Sequence, residues 1–310
     1  MREVFSRGAR IRTGDLTVPN RARYQAALHP EQPKPSACPW PSRKCLRRRR
    51  APPGTGSSAT VAAMASREGI VAFANDYLDL ASYPDHGPMG LQVVGADEVT
   101  RVACGVSASL ELFRRAADTG AQLLLVHHGL FWDRDPRVVD RALRARLQTL
   151  FDADLSLAAY HLALDAHPEV GNNALLCRAL GIEPARRFAE VGYGGPLAQP
   201  CTIAELAERI EAELGRAPLV LGAGPEPIEQ VAVCSGSAAR FLADAASQGY
   251  DCFLTGEPAE PALMIAREAG VHFVAAGHYA TETLGVKALA ATVAGRFSLE
   301  WEFVDLPNPV

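Results

Sequence analysis

No CxxC pair occurs among the seven cysteines of this 310-residue chain, which stand scattered at positions 38, 45, 104, 177, 201, 234 and 252. That absence argues against a zinc–thiolate site and against the disulfide framework of a small secreted domain, and it fits a reducing cytoplasm. No apolar run approaches the ~20 residues of a membrane span, so nothing points to an integral membrane protein. The chain also lacks a Gly-x-x-x-x-Gly-Lys-Ser/Thr loop and a glycine-rich fingerprint at a strand–helix turn, which removes the commonest sequence signals of a phosphate cradle. What is present is an ordinary globular composition, 48% hydrophobic and 21% charged, on a chain long enough for roughly two domains.

Charge is unevenly spread. Residues 1–63 hold 13 Lys/Arg against 3 Asp/Glu, a net +10, whereas residues 64–310 carry a net −14. An acidic body repels phosphate backbones, so nucleic-acid binding would rest on the basic extension alone. That extension contains RKCLRRRRAPPGTGSS and eight prolines but no sustained apolar period, and is not expected to fold by itself. Its prolines would break the amphipathic helix of an organelle transit peptide. Two readings are left for residues 1–63, a disordered basic arm and a start codon placed too far upstream. The second is favoured because Met64 opens MASREGIVAFANDYL, where Ser66 can cap a helix with Ile70, Val71, Phe73, Ala74, Tyr77 and Leu78 at helical spacing.

From Met64 onward, apolar strand-like runs alternate with amphipathic stretches, the pattern of α/β layering. One unit occurs twice, as RVACGVSASLELFRRAADTGAQLLLVHHG from 101 and QVAVCSGSAARFLADAASQGYDCFLTGEP from 230. At a constant offset of 129 residues Val102 matches Val231, Gly120 matches Gly249, and His127-His128 fall on Gly256-Glu257. Strand, helix and strand in this order form a right-handed parallel crossover. The expected fold is therefore α/β, with two similar units, 64–185 and 186–310, forming a duplicated fold around a metal site in the cleft between them.

The site is read from the stretch LLLVHHGLFW at 123–132. Neighbouring side chains of a strand point to opposite faces, so His127 and His128 can share a target only where the strand gives way to a loop. Asp165 follows the apolar LSLAAY, and His278 and Glu282 follow VHFVAA. If HYATETLGVKALA is one helix, His278 and Glu282 project from one face of its first turn. Each cluster lies just past an apolar strand, and strand ends of an open α/β sheet define one crevice. Three imidazoles and two carboxylates exceed the needs of one four-coordinate zinc, and carboxylates readily bridge two divalent cations, so two ions are the natural count. Zinc, manganese, iron and nickel all suit mixed imidazole and carboxylate donors. His161 and Glu257 are read either as supporting or substrate-facing groups or as structural residues, and His167 and His272 as ordinary structural histidines.

The segments GPMGLQVVG, GVSASLELFRRAADTGAQLLLVHHGLFW, YHLALDAHPEVGNNALL, FLTGEP, AAGHYATE and DLPNP together resemble the dinuclear-metal-centre hexameric proteins. These form the NGG-one-interacting-factor-three-like family, whose members are often named GTP cyclohydrolase I type 2 homologues. The resemblance runs from about Met64 to the C-terminus and implies a dinuclear site of His127, His128, Asp165, His278 and Glu282, with Asp165 and Glu282 as bridging carboxylates. It also implies a homo-hexamer and an activity such as purine ring opening of GTP at C8. Met89 departs from the pattern, which has asparagine in that turn, and this bears on local pocket polarity. Two function classes follow: a metal-dependent hydrolase of a small molecule, using a metal-activated water and no further nucleophile, or a metal-stabilised oligomeric scaffold or regulatory binding protein without catalysis.

Overall fold

The computed structural model describes residues 64–310; the basic extension 1–63, with both of its readings, lies outside the described residues. The first described elements are β1 (Ala65–Ser66) and helix α1 (Arg67–Tyr77), whose N-terminus is capped by Ser66 accepting from the Gly69 N–H. Ile70, Val71, Ala74 and Leu78 are buried on its inner face. Strand β2 (Gly90–Val93) and the short β3 (Glu98–Val99), which pairs with β1, follow.

The first copy of the repeated unit is β4 (Arg101–Ser107), α2 (Leu110–Asp118) and β5 (Leu123–His128), continued by α3 (Arg141–Asp152) and β6 (Ser156–Ala159). Its strands run parallel, and Leu123 to Val126 are buried, as an unbroken apolar run in a covered central strand requires. Two small helices, α4 (Leu162–Ala166) and α5 (Asn172–Ala179), lead to β7 (Arg186–Phe188), β8 (Gly192–Cys201), α6 (Ile203–Leu214) and β9 (Leu219–Leu221). The second copy is β10 (Ile228–Cys234), α7 (Leu242–Ser247) and β11 (Cys252–Thr255), continued by α8 (Ala262–Ala269) and β12 (His272–Ala275). Last come α9 (His278–Thr281), α10 (Thr283–Phe297) and β13 (Glu300–Phe303).

The duplication holds at the level of register. Val102 lies opposite Leu123 and Val231 opposite Cys252, the same pairing 129 residues on. Gly120 and Gly249, just past α2 and α7, have φ of 75° and 79°, the left-handed geometry that ends a helix with glycine. Two mixed sheets result, a five-stranded one in the order β13-β4-β5-β6-β2 and a six-stranded one in the order β7-β8-β10-β11-β12-β9. Antiparallel β2 and β9 occupy corresponding edges. No helix among the described residues is long and apolar enough to cross a membrane.

Each half lends the other a helix. Ala174, Leu176 and Cys177 of α5 pack with Val231, Val233 and Leu254 of the second sheet, while Val286, Leu289, Ala290 and Val293 of α10 pack with Val102, Cys104 and Leu125 of the first. Strand β13 then completes the first sheet beside β4. The segments 64–185 and 186–310 are thus interlocked, and the two crossings, α4–α5 and α9–α10, bring the ends of β6 and β12 together. Residues 64–185 expressed alone would leave the α10 face of their sheet bare. With about 1.5–3 kcal/mol for each large apolar side chain and only about 5–15 kcal/mol of net stability in a typical domain, this fragment is expected to show no cooperative thermal transition. Near-UV circular dichroism during heating checks this.

Candidate metal centre

The ends of β5, β6 and β12 carry the five side chains singled out as ligands. His127 is fully buried, and its Nδ1–H donates to the Tyr160 carbonyl at 3.0 Å. A carbonyl can only accept, so in the neutral ring Nε2 keeps its lone pair. That atom lies 3.5 Å from Asp165 Oδ2 and 3.6 Å from Glu282 Oε1. His128, the last residue of β5, sets its Nε2 3.1 Å from Glu282 Oε2 and 3.4 Å from His278 Nε2, while its Nδ1 shares a 2.9 Å hydrogen bond with Ser107 Oγ. The ring centroids of the two consecutive histidines are 4.7 Å apart, so both reach one region at the strand end. His278 Nε2 lies 3.1 Å from Glu282 Oε2, and its Nδ1–H donates to Glu257 Oε1 at 2.5 Å. Asp165, in the first turn of α4, accepts through Oδ1 from Asn172 Nδ2 at 2.8 Å and from Ser235 Oγ at 3.3 Å.

One local expectation is corrected. HYATETLGVKALA is not a single helix: α9 ends at Thr281, and Glu282 (φ −116°, ψ 8°) is the joint before α10. The Thr281 hydroxyl donates back to the carbonyls of Gly277 and His278, an alternative to the helical ladder. Asn172 Oδ1 takes the Gly285 N–H at 2.7 Å, the donor that a continuous helix would have given to the Thr281 carbonyl. The same asparagine therefore holds Asp165 with its amide nitrogen and the start of α10 with its oxygen.

Electrostatics make the pocket self-neutralising. Burial pushes the Glu282 carboxyl up, but the imidazoles of His127, His128 and His278 facing it outweigh that and hold it well below the ordinary carboxylate value. Burial likewise disfavours charge on His127 and His278, yet the carboxylates win: Asp165 and Glu282 raise His127 to about 9, and Glu282 with Glu257 raises His278 to about 9. Burial wins at His128, which is lowered. Because His127 and His278 are raised in the fold, they stabilise the metal-free protein below the ordinary histidine range, and that contribution fades as pH rises through about 9. A cation entering between these nitrogens must displace their protons. Divalent metal binding at pH 7.5 is accordingly expected to release about two protons per chain, read by calorimetry in buffers of different ionisation enthalpy.

The donor set fits cations. His127 Nε2 and Glu282 Oε2 are buried without a hydrogen-bond partner among the described residues. The separations of 3.1–3.6 Å between facing nitrogens and oxygens are close to the edge, about 3.4 Å, of a tetrahedron of donors at ~2.1 Å from an ion. Three groups have donor atoms within 4.8 Å of one another: His127 with Asp165 and Glu282, His128 with His278 and Glu282, and His127 with His128 and His161. Glu282 stands in two of them, turning Oε1 to His127 and Oε2 to His128 and His278; Asp165 stands in one. Gly236 makes room for this carboxylate: it has φ +64°, and a Cβ there would lie 2.3 Å from Glu282 Oε1.

Glu257, the residue matching His128 in the repeat, orients His278 rather than facing the centre itself. His161 pairs not with Asp165 but with Asp85, Nδ1 to Oδ1 at 2.8 Å. Asp85, Ser107, Asn172 and Ser235 escaped the sequence reading, although Asn172 lies within the segment YHLALDAHPEVGNNALL that carried the resemblance. Met89 is partly buried against the apolar cluster on the α2–α3 face. His167 and His272 use both ring nitrogens in backbone hydrogen bonds. Cys234 lines the adjoining cleft, but burial pushes its thiol up to about 12, so it is no thiolate at neutral pH.

Comparison with known proteins places the chain in a family. The family model Duf34/NIF3 (NGG1p interacting factor 3) matches residues 65–309. A Deinococcus radiodurans protein named GTP cyclohydrolase 1 type 2 homolog is 41% identical over 257 residues, 81% of this chain and 97% of that protein. A Pseudomonas aeruginosa protein of the same name is 44% identical over 246 residues, 77% of this chain and 97% of the relative. Among solved structures, the protein ybgI, described as of unknown function, superposes with a TM-score of 0.78 at 42% identity, covering 79% of this chain and 100% of its own. TTHA1606 from Thermus thermophilus gives 0.75 at 38% identity, covering 79% and 100%. With a duplicated α/β fold and a family match across nearly all the described residues, the chain belongs to the Duf34/NIF3 family.

Proposed function

We propose that His127, His128, Asp165, His278 and Glu282 hold two divalent cations per chain and that the loaded centre hydrolyses a small molecule. The observation that carries this reading is the division of Glu282, one oxygen toward His127 and the other toward His128 and His278. When bound, a cation pair supplies an acidified water and a Lewis acid for the group attacked. Glu282 would serve both cations, whereas Asp165, expected above to bridge as well, has Oδ1 taken by Asn172 and Ser235 and would offer Oδ2 on the His127 side. His128 and His278 are partly exposed and form the side open to substrate. Next to them lies a cleft of about 200 Å³ whose lining includes Asp165, His161, Ser235, Arg240, His278 and Glu282. It suits a ring-sized group, with Arg240 available to an anionic substituent. Mixed imidazole and carboxylate donors accept zinc, manganese, iron or nickel, so supply decides occupancy.

The relatives' name makes purine ring opening, with water attacking C8 of GTP, the first reaction to test. A homo-hexamer in a reducing cytoplasm completes the reading; the five described cysteines, all free and buried, are consistent with such a compartment. Light scattering at micromolar concentration is expected to give six chains, and a monomer would remove that part. The activity test is a screen of metal-loaded protein over nucleotides and other small substrates, with Glu282→Ala as control. Turnover that the control lacks supports the hydrolase. Fully loaded protein without turnover, in an oligomer that dissociates on chelation, favours the scaffold instead.

A further inference from the structure

We propose that His161 is a sixth donor of the centre, a fourth imidazole ligand held in place by Asp85. The inference rests on the two-cation reading above and extends its ligand set.

All four imidazoles at the centre share one arrangement. Each has Nδ1 tied to a neighbour, the Tyr160 carbonyl for His127, Ser107 Oγ for His128, Glu257 for His278 and Asp85 for His161. An imidazole fixed through one nitrogen by a carboxylate or carbonyl, with the other free, is the usual setting of a metal-ligating histidine. Two histidines outside the centre differ: His167 and His272 engage both nitrogens with backbone groups. Among the described residues His161 hydrogen-bonds through Nδ1 alone.

Asp85 is built to hold this ring. Its Oδ1 also accepts from the His86 N–H at 2.7 Å, and its Oδ2 accepts from the Leu162 N–H at 2.9 Å, so the carboxylate is anchored from two chain segments. Trp132 stands edge-on to the His161 ring at 5.2 Å and limits its swing. With Nδ1 engaged, the atom His161 can offer is Nε2, and the donor atoms of His127, His128 and His161 lie within 4.8 Å of one another. Two donors each ~2.1 Å from one ion are at most about 4.2 Å apart, so a side-chain adjustment of about half an ångström suffices. His161 shares His127 with the Asp165 group and His128 with the His278 group, and so stands across the gap between them.

The test uses full-length protein stripped with chelator and titrated with Co²⁺, read by visible absorption and by competition with a chromophoric chelator. Wild type is expected to take up two ions. His161→Ala should weaken one of them at least tenfold, leave the other within about threefold, and change the band intensity as one ion loses a ligand. Asp85→Asn should weaken the same ion by about tenfold, as loss of a ligand's supporting partner does. His161→Gln, of similar bulk, reads the same step if alanine loosens the packing against Trp132. Titration and spectrum unchanged from wild type in both His161 variants overturn the proposal while leaving the five-ligand centre intact. A wild type that takes up no ion overturns the two-cation reading and this inference with it.

Discussion

Glu282→Gln is expected to weaken both cations, each by more than the ~10–100-fold that loss of a mere supporting partner costs. The substitution keeps the shape but removes the charge and one of two acceptor oxygens. Those oxygens serve different groups, Oε1 facing His127 and Oε2 facing His128 and His278, so neither ion escapes. Asp165→Asn is the contrast: Asp165 stands in one donor group, and its loss should fall mainly on one ion. Competition with a chromophoric chelator separates the two patterns. In the metal-free protein the variant also leaves the buried His127 without one of its two carboxylate partners, and His278 without Glu282. Their protonation should retreat toward the ordinary histidine range, so the proton release that accompanies metal binding at pH 7.5 should shrink. A variant that still holds two ions as tightly as wild type would mean that Glu282 does not bridge.

Gly236→Ala is expected to cost the fold and the centre together. The left-handed backbone at φ +64° is disfavoured for alanine by roughly 1–2 kcal/mol. The added methyl would also sit 2.3 Å from Glu282 Oε1 and 3.3 Å from His278 Nε2, and overpacking of this kind costs about 1–3 kcal/mol more. Both neighbours are ligands in the two-cation reading, so relief of the clash displaces the donors. The expected result is a melting temperature lower by several degrees and weaker binding of both ions, since Oε1 faces the His127 group and His278 belongs to the other. Calorimetric melting with and without metal checks it: the metal-induced rise in melting temperature should be smaller in the variant. Equal rises would show that Gly236 matters to the backbone alone.

The parts of the fold readable in advance are those where burial writes a pattern into adjacent residues. Leu123 to Val126 read as a strand because a covered parallel strand needs apolar side chains on both faces, and the 129-residue repeat emerged because β4–α2–β5 and β10–α7–β11 keep the same register. The exchange of α5 and α10 was hidden, since an apolar helix face does not say which sheet it will cover. The break at Glu282 was hidden for a related reason: local spacing favours one helix, and the bond that interrupts it joins Gly285 to Asn172, 113 residues earlier. For the centre, a histidine or carboxylate just past an apolar strand is a readable signal. Its supports are not readable, because Asp85, Ser107 and Ser235 are single polar residues of loops or strand ends, with roles set by tertiary contact. The repeat even misdirects here, since Glu257 occupies the place of His128 yet serves to orient His278.

The central claim, a pair of cations sharing Glu282, is tested most directly by an anomalous-scattering map from crystals grown with a divalent metal. Two peaks per chain about 3.5–4 Å apart are predicted, as two-metal sites require. One peak should lie against Glu282 Oε1, His127 and Asp165, and the other against Glu282 Oε2, His128 and His278. A single peak, two peaks with no shared carboxylate, or an empty pocket at saturating metal would contradict the account.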